Sequence, residues 1–311
     1  MSRIIRTLVI GGGGYIGSSL VPELLKTGRQ VSVLGRRTIP KYIMPNQVKY
    51  VIGNFSSHRL ISRLLDDYDE VIHMAYATAP NTSFKNPLND LLENIPPTIQ
   101  LFAEVAKRDI KLVLISSGGA VYGEAKVLPI KETHQTKPIS PYGVTKLALE
   151  NYAFLYAATY GLKFICIRPG NAYGGGQQAF TGQGLIATAM QSAINGMPIE
   201  IFGDAIRDYI HVGDVVAGIV CALERGRCSE IYNLGSGVGF SNIDVVKSIS
   251  SLIKEFGLVL QFKILPGRSF DVDVNVLNSK KLNEHTGWIP VVKFEDGLRR
   301  TFEGFREKDW L

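Results

Sequence analysis

The chain contains little cysteine and no long apolar run. Its 311 residues include three cysteines, which form neither a Cys-x-x-Cys pair nor an even set. This argues against a disulfide framework and is typical of a reducing compartment, so we expect a cytoplasmic protein. No apolar run reaches about 18 residues, and the apolar stretch near the N-terminus leads directly into glycines. We therefore predict neither a membrane span nor a signal peptide.

Charge of either sign is modest. The sequence has 34 basic and 28 acidic residues, giving a formal net charge of +6, and no segment is rich in lysine or arginine. We therefore predict no nucleic-acid partner, whereas a mild positive excess suits a substrate that carries phosphates. The hydrophobic content of 45% is typical of a globular protein with a large core.

Short apolar runs alternate with helical patterns in the first half of the chain. They predict strands at 8–10, 31–34, 48–52, 70–74, 112–116 and 164–167. Alternating strands and helices indicate βαβ units, a parallel sheet and right-handed crossovers, which build a doubly wound α/β fold. After Pro169 glycine becomes frequent and the alternation ends. We predict one domain over 1–170 and a smaller C-terminal α/β region over 171–311 that interleaves with it.

A glycine-rich turn follows the first predicted strand and opens the first predicted helix. Gly11, Gly14 and Gly17 have the spacing at which glycines make a tight turn, admit a pyrophosphate to the backbone and pack helix on strand. A glycine-rich turn can also be merely flexible, but its position between strand and helix favours a Rossmann dinucleotide site.

The end of the second predicted strand lacks an expected acid. An Asp or Glu about 20 residues beyond the glycine turn holds the adenosine ribose hydroxyls of NAD. Gly35 occupies that position, followed by Arg36 and Arg37. Guanidinium groups suit a 2′-phosphate, although two arginines can also be ordinary surface residues. The sequence leaves NAD and NADP open.

A tyrosine and a lysine lie four residues apart in the segment that begins at Pro141. Tyr142 and Lys146 share one face of a predicted helix. We expect the lysine ammonium, together with the nicotinamide's positive charge, to lower the pKa of the phenol, so that Tyr142 moves a proton near neutral pH while a hydride moves to or from the nicotinamide.

With these motifs, the chain resembles the extended short-chain dehydrogenases/reductases, in particular the sugar-nucleotide epimerases and dehydratases. The resemblance covers nearly all 311 residues and is greatest to the UDP-hexose 4-epimerases. Further matching motifs lie at 71–75 (VIHMA), 116–123 (SSGGAVYG), 140–143 (SPYG), 168–174 (RPGNAYG), 207–212 (RDYIHV), 232–237 (YNLGSG) and 287–290 (GWIP).

The resemblance implies roles for individual residues. The substrate would contact Asn171, with Arg207 and Arg268 on its diphosphate and Asp271 close by; two arginines that fork onto phosphate oxygens match a nucleotide sugar. Surface ion pairing is the alternative for these arginines. The cofactor would contact Gly11, Gly14, Tyr15, Ile16, Gly17, Arg36, Asn54, Phe55, Met74, Ala75, Tyr76, Ser116, Tyr142, Lys146 and Pro169. We assign no metal ligands.

The chain departs from the family pattern at the position that normally supplies a Ser or Thr hydroxyl to the reacting sugar. Gly118 stands there, so Ser117, Ser116 or a water must replace that hydroxyl, and we take Ser117 as the third catalytic residue. The loop before Arg207 is also about two residues shorter than usual by the same resemblance. This shortening bears on the depth of the pocket for the uracil or the sugar.

Two further positions select among the family's reactions. Dehydratases carry Asp-Glu where this chain has Gly119 and Ala120, so dehydration lacks its acid/base pair. We predict an NAD(P)-dependent 4-epimerase of UDP-glucose, UDP-galactose or their N-acetyl forms that works through a transient 4-keto sugar and serves polysaccharide precursor supply. A 4-keto sugar-nucleotide reductase that consumes NADPH is the alternative, and a non-catalytic dinucleotide sensor is disfavoured by Tyr142 and Lys146.

Substrate size and assembly also follow from the resemblance. Asn275 lies where similar epimerases admit or exclude N-acetylated sugars, and its intermediate size favours admission; an ordinary strand residue is the alternative. Such enzymes are homodimers joined through two helices, here 89–107 and 141–160. We expect Pro96 and Pro97 to break or kink the first of these.

Overall fold

The computed structural model describes residues 3–268 and 271–307, which form thirteen strands and ten helices. The strands are β1 (Arg6–Ile10), β2 (Gln30–Gly35), β3 (Lys49–Ile52), β4 (Glu70–His73), β5 (Lys111–Ile115), β6 (Phe164–Pro169), β7 (Asn171–Tyr173), β8 (Ile199–Phe202), β9 (Ile206–His211), β10 (Glu230–Leu234), β11 (Gly239–Ser241), β12 (Phe262–Leu265) and β13 (Val274–Asn275). The helices are α1 (Tyr15–Lys26), α2 (His58–Leu65), α3 (Pro80–Ser83), α4 (Pro87–Lys107), α5 (Pro141–Tyr160), α6 (Leu185–Ile194), α7 (Val212–Arg225), α8 (Asn242–Lys254), α9 (Lys280–Thr286) and α10 (Phe294–Glu307).

Seven strands form one sheet in the order β3-β2-β1-β4-β5-β6-β10. Every neighbouring pair is parallel. The first six strands have the order of a dinucleotide-binding α/β sheet, which places ligands at the carboxyl ends of the strands. The predicted doubly wound parallel sheet is therefore confirmed, and each of the six predicted strands is present within two residues of its expected bounds.

The two halves of the chain interleave in this sheet. Strand β10 comes from the second half, yet it pairs with β6 and forms the sheet edge. Helix α7, also from the second half, packs against α1. A boundary at residue 170 therefore divides the sequence but not the main sheet.

The rest of the second half builds a smaller unit. Strands β7, β9, β11 and β13 form one small sheet, and β8 pairs with β12. Helices α6, α8 and α10 share their own apolar cluster with these strands, which includes Met190, Val246 and Phe302. Two other clusters cover the faces of the main sheet, one around Val9 and Ile219 and the other around Leu8 and Phe102.

Local sequence explains where helix α5 begins and ends. Helix α5 begins where Ser140 Oγ accepts a hydrogen bond from Gly143 N at 3.1 Å, with Pro141 in the first turn. It ends at Gly161, whose φ of +70° is a conformation that glycine adopts at little cost.

Helix α4 corrects one prediction. The helix runs from Pro87 to Lys107 through Pro96 and Pro97, so the prolines do not break it, and a kink there stays a prediction. Each proline removes one backbone hydrogen bond and its ring crowds the carbonyl four residues earlier, a cost that tertiary packing can offset. Here α4 packs along α5, and Pro97 is buried with Leu101 in that contact region.

Within the described residues, no helix has the length and apolarity that a membrane span requires.

Candidate active site

A cavity of about 850 Å³ lies at the carboxyl ends of the central strands. The glycine turn after β1 forms one side, and the segments after β5 and β6 form its floor. Residues of β8 and β9 close the far end. A second cavity of about 280 Å³ adjoins it at the glycine turn and the end of β2. Together they form a long cleft between the main sheet and the smaller C-terminal unit.

The glycine turn fits a dinucleotide pyrophosphate. Gly11 has a φ of +86°, and a Cβ there would lie 2.6 Å from Ala75 N. A Cβ on Gly17 would lie 2.4 Å from Gly12 O, so only glycine lets α1 approach the turn this closely. Gly14 caps α1 without a side-chain hydrogen bond. The first N–H groups of the helix and its positive end are therefore offered to an anion.

Tyr142 lies in the first turn of α5, inside the larger cavity. Its ring meets Tyr76 edge-on with the ring centres 4.9 Å apart. Burial raises the pKa of the Tyr142 phenol, a hydrogen bond with Ser117 lowers it, and the Asp90 carboxylate raises it. The phenol is therefore held neutral beside a hydroxyl partner.

Lys146 lies one turn after Tyr142 and is buried. Its Nζ donates to Ile115 O at 2.8 Å and lies 4.0 Å from the Tyr76 ring centre. Burial lowers the pKa of Lys146 to about 8. Nζ lies 5.7 Å from the Tyr142 ring centre, and burial is the largest influence on the phenol's pKa, which it raises. The expected lowering of this pKa by the ammonium together with the nicotinamide's positive charge stays a prediction.

Asp90 is a residue that the sequence analysis missed. This fully buried carboxylate on α4 accepts hydrogen bonds from Thr78 and Thr145, the latter at 2.6 Å. It thereby ties the loop after β4 to α5, between Tyr142 and Lys146. A single acid in an amphipathic helix has no motif around it, so only the packing of α4 on α5 reveals its position.

The structure distinguishes between Ser117 and Gly118. Ser117 lines the cavity and is hydrogen-bonded to Tyr142. A Cβ on Gly118 would point away from the phenol, 2.5 Å from Leu277 Cδ1 and 2.9 Å from Arg168 O. Ser116 is directed elsewhere, since its Oγ donates to the Glu150 carboxylate. Ser117 is thus the hydroxyl placed beside Tyr142.

Arg207 and Arg268 line the larger cavity together with Asn171 and Tyr142. Arg268 forks onto Asp271 at 2.8 and 3.1 Å. Arg207 donates to Ile206 O at 2.9 Å. Burial lowers the pKa of the Arg207 guanidinium, and the positive charge of the nearby Arg268 lowers it further. Two adjacent guanidinium groups in a partly buried cavity favour an anion.

Asn275 does not line either cavity. It lies in β13 beside Arg207, is almost fully buried, and donates from Nδ2 to Gly118 O at 3.0 Å. Its side chain therefore holds the loop after β5 in place. A direct gate on the substrate, as the resemblance implies, stays a prediction.

The other site residues named from the sequence all border the cleft. The larger cavity is lined by Gly11, Gly14, Tyr15, Ile16, Gly17, Met74, Tyr76, Ser116, Ser117, Tyr142, Lys146, Pro169, Asn171, Arg207, Arg268 and Asp271. The smaller cavity adds Arg36, Asn54, Phe55 and Ala75. Among the described residues, no group of three or more His, Cys, Asp or Glu side chains is arranged to hold a metal ion.

Comparison with known sequences identifies relatives of the whole chain. The model of the NAD-dependent epimerase/dehydratase family matches residues 7–235. The UDP-glucose 4-epimerase of Halalkalibacterium halodurans is 33% identical over 303 residues, which are 91% of this chain and 90% of that protein. The dTDP-4-dehydro-6-deoxyglucose reductase of Escherichia coli is 28% identical over 320 residues, covering 97% of this chain and 98% of that protein.

Solved structures give the same result. The UDP-glucose 4-epimerase of Thermotoga maritima with UDP-glucose has a TM-score of 0.91 at 32% identity, covering 98% of this chain and 99% of that one. The UDP-glucose 4-epimerase of Thermus thermophilus in complex with NAD has a TM-score of 0.90 at 31% identity, covering 97% and 99%.

Proposed function

The chain belongs to the NAD-dependent epimerase/dehydratase family, as an enzyme of the extended short-chain dehydrogenase/reductase type in its sugar-nucleotide epimerase group, and from this premise we propose that it is a UDP-hexose 4-epimerase. The reaction oxidises the hexose at carbon 4, presents the other face of the 4-keto sugar and reduces it again. One observation carries the proposal: Tyr142 and Ser117 lie in a cavity that joins the glycine turn to Arg207 and Arg268.

The residues of this chain divide the chemistry between them. A nicotinamide dinucleotide at the glycine turn supplies a hydride acceptor and returns the hydride. As the phenolate, a form that the positive charges of Lys146 and of a bound nicotinamide would favour, Tyr142 Oη takes the proton of the 4-hydroxyl and gives it back, since its phenol lines the cavity one helical turn before Lys146. The Ser117 hydroxyl holds a hydrogen bond to that phenol, and the Lys146 ammonium lies 5.7 Å from its ring centre. The proton balance closes within one turnover.

The far end of the cleft suits the nucleotide diphosphate. Arg207 forms no ion pair with a carboxylate of the described residues, and burial disfavours its charge. Phosphate oxygens there would restore charge-assisted hydrogen bonds to the guanidinium. Gly119 and Ala120, which also line the cavity, supply no carboxylate for dehydration. The geometry thus favours epimerisation over elimination of water.

The test is interconversion of four substrates. Purified enzyme, without added reductant, is incubated with UDP-glucose, UDP-galactose, UDP-N-acetylglucosamine and UDP-N-acetylgalactosamine, and the products are separated by chromatography. We expect at least one pair to reach equilibrium from both sides. Failure with all four substrates by nucleotide-replete enzyme would contradict the proposed function.

A 4-keto sugar-nucleotide reductase is the second candidate. It is favoured by the cluster of Arg36, Arg37 and Lys41 at the smaller cavity, since reductases of this kind consume NADPH. The similarity to the E. coli reductase supports it as well. Stoichiometric loss of NADPH absorbance with a 4-keto sugar nucleotide, with no interconversion of the four UDP-sugars, would replace the first candidate by this one.

We also propose that two copies associate through α4 and α5. Large apolar side chains are exposed on one face of each helix, namely Leu88, Leu91 and Leu92 on α4 and Val144, Tyr152 and Leu155 on α5. Such a patch is typical of an interface between subunits. Light scattering after size exclusion should give twice the chain mass. Leu155→Lys should give a monomer, while Val291→Lys, at an exposed position outside both helices, should not.

A further inference from the structure

The smaller cavity has an unusual charge for a site that binds NAD. It lies at the carboxyl end of β2, next to Gly13 and Gly14 of the glycine turn. This is where the adenosine ribose of a dinucleotide lies in such a sheet. An acid there would bind both ribose hydroxyls, and it would repel a phosphate on the 2′-oxygen.

The space for that acid is filled in this chain. A Cβ on Gly35 would lie 2.3 Å from Tyr50 Oη and 3.0 Å from Tyr50 Cζ. Tyr50 is itself fixed, because its hydroxyl donates to Arg37 O at 3.1 Å and its ring lies over Gly13. Position 35 therefore cannot carry a carboxylate unless Tyr50 moves. The glycine is part of the packing and not merely a missing side chain.

Three cations surround the position instead. Arg36, Arg37 and Lys41 all line the cavity, and none of them forms an ion pair with a carboxylate of the described residues. Burial, and next the charge of the neighbouring Arg37, lower the pKa of Lys41. The lining includes one carboxylate, Glu93, which comes from the exposed face of α4. The cavity thus carries an excess of two positive charges.

We propose that Arg36, Arg37 and Lys41 bind the 2′-phosphate of NADP(H), so that this chain prefers NADP(H) to NAD(H). The inference rests on the proposed use of a nicotinamide dinucleotide and names its phosphorylated form. A phosphate monoester brings about two negative charges and three acceptor oxygens, which relieves the crowding of cations. The Tyr50 ring takes the place of the diol-binding acid.

Equilibrium binding tests this without any turnover. Calorimetry on nucleotide-stripped protein compares NADP with NAD, and adenosine 2′,5′-bisphosphate with 5′-AMP, a pair that differs only in the 2′-phosphate. We expect both phosphorylated ligands to bind at least about tenfold more tightly, with an advantage that shrinks as salt rises. Equal or weaker binding of the 2′-phosphorylated member in both pairs would overturn the proposal.

Variants assign the effect to the cluster. Arg36→Ala and Arg37→Ala should each weaken the bisphosphate about tenfold and 5′-AMP less than twofold. Arg227→Ala, an exposed arginine between α7 and β10, is the control and should change neither. Equal weakening of both ligands by the cluster variants would contradict a 2′-phosphate role.

The binding result and the proposed function fail separately. If the bisphosphate preference holds but no UDP-sugar is interconverted, the cofactor inference stands and the epimerase proposal falls. If interconversion is observed while NAD binds as tightly as NADP, the epimerase proposal stands and the cofactor inference falls.

Discussion

At the residue scale, the Tyr142 phenol combines a hydroxyl neighbour with an apolar enclosure. Burial raises the pKa of the Tyr142 phenol, and the hydrogen bond with Ser117 lowers it. A neutral phenol has no free site for a further proton, so the proposed transfer from the 4-hydroxyl requires the phenolate, which the positive charges of the nicotinamide and Lys146 would favour.

Tyr142→Phe tests this role. Removing the hydroxyl deletes the proton carrier and preserves the ring that meets Tyr76, so kcat should fall by about 10²- to 10⁴-fold. Nucleotide binding should stay within twofold of the wild type. Initial rates and calorimetry measure the two effects. Retention of most of the activity would remove Tyr142 from the acid/base role.

Asp90 should act on the active site through Thr145 and through its charge. Its carboxylate raises the pKa of Tyr142, so Asp90→Asn should lower that pKa and move the Tyr142-controlled limb of the kcat profile to lower pH. Thr145→Val removes the hydroxyl bound to Asp90 and keeps the carboxylate. It should lower kcat without the shift of the pH profile that we expect for Asp90→Asn. Thr145→Ser is the control and should behave as wild type. A profile unchanged in Asp90→Asn would contradict the electrostatic role.

At the element scale, the ends of helices carry local sequence signals. Helix α1 ends just before Gly28, which has a positive φ, and α5 has the expected bounds 141–160, with Ser140 as its cap and Gly161 at a positive φ. The two cavities border nearly every site residue named from motifs. Continuity of α4, the fixed Asn275 side chain and buried Asp90 depend on contacts distant in sequence, so no local pattern predicts them.

Pro96 offers a test of the packing argument for α4. It is exposed in the middle of the helix, so its ring contributes little burial while it removes one backbone hydrogen bond. Pro96→Ala should raise the free energy of unfolding by about 1–2 kcal/mol, after the entropy that alanine returns to the unfolded chain. Pro87→Ala, in the first turn where no N–H bond is lost, should not stabilise. Urea unfolding curves measure both, and a loss of stability in Pro96→Ala would contradict the argument.

At the scale of the whole molecule, a neutral buried histidine couples stability to pH. His73 Nε2 lies 3.1 Å from Thr98 Oγ1, and burial lowers the pKa of His73 to about 3. Between about pH 6.5 and pH 3 the unfolded chain binds a proton here that the folded chain does not. Folding stability therefore falls as pH falls through this window.

His73→Gln removes this titration and keeps a hydrogen-bonding side chain. The fall in the free energy of unfolding between pH 6.5 and pH 4 should be shallower than in the wild type, by up to about 1.4 kcal/mol per pH unit. Thr98→Ser retains both the hydroxyl and the imidazole and should keep the wild-type slope. Urea unfolding at four pH values measures the slopes, and equal slopes in His73→Gln and wild type would exclude this contribution.

The position of β10 at the edge of the main sheet has a consequence for biosynthesis. A ribosome delivers β6 some sixty residues before Glu230–Leu234 can pair with it. Until then the nascent chain presents a bare strand edge, and α1 lacks the cover of α7. Exposed edges and apolar helix faces are where unfinished chains aggregate or recruit chaperones. Translation pauses beyond residue 170, or fragments that stop there, should therefore be far more aggregation-prone than the finished protein.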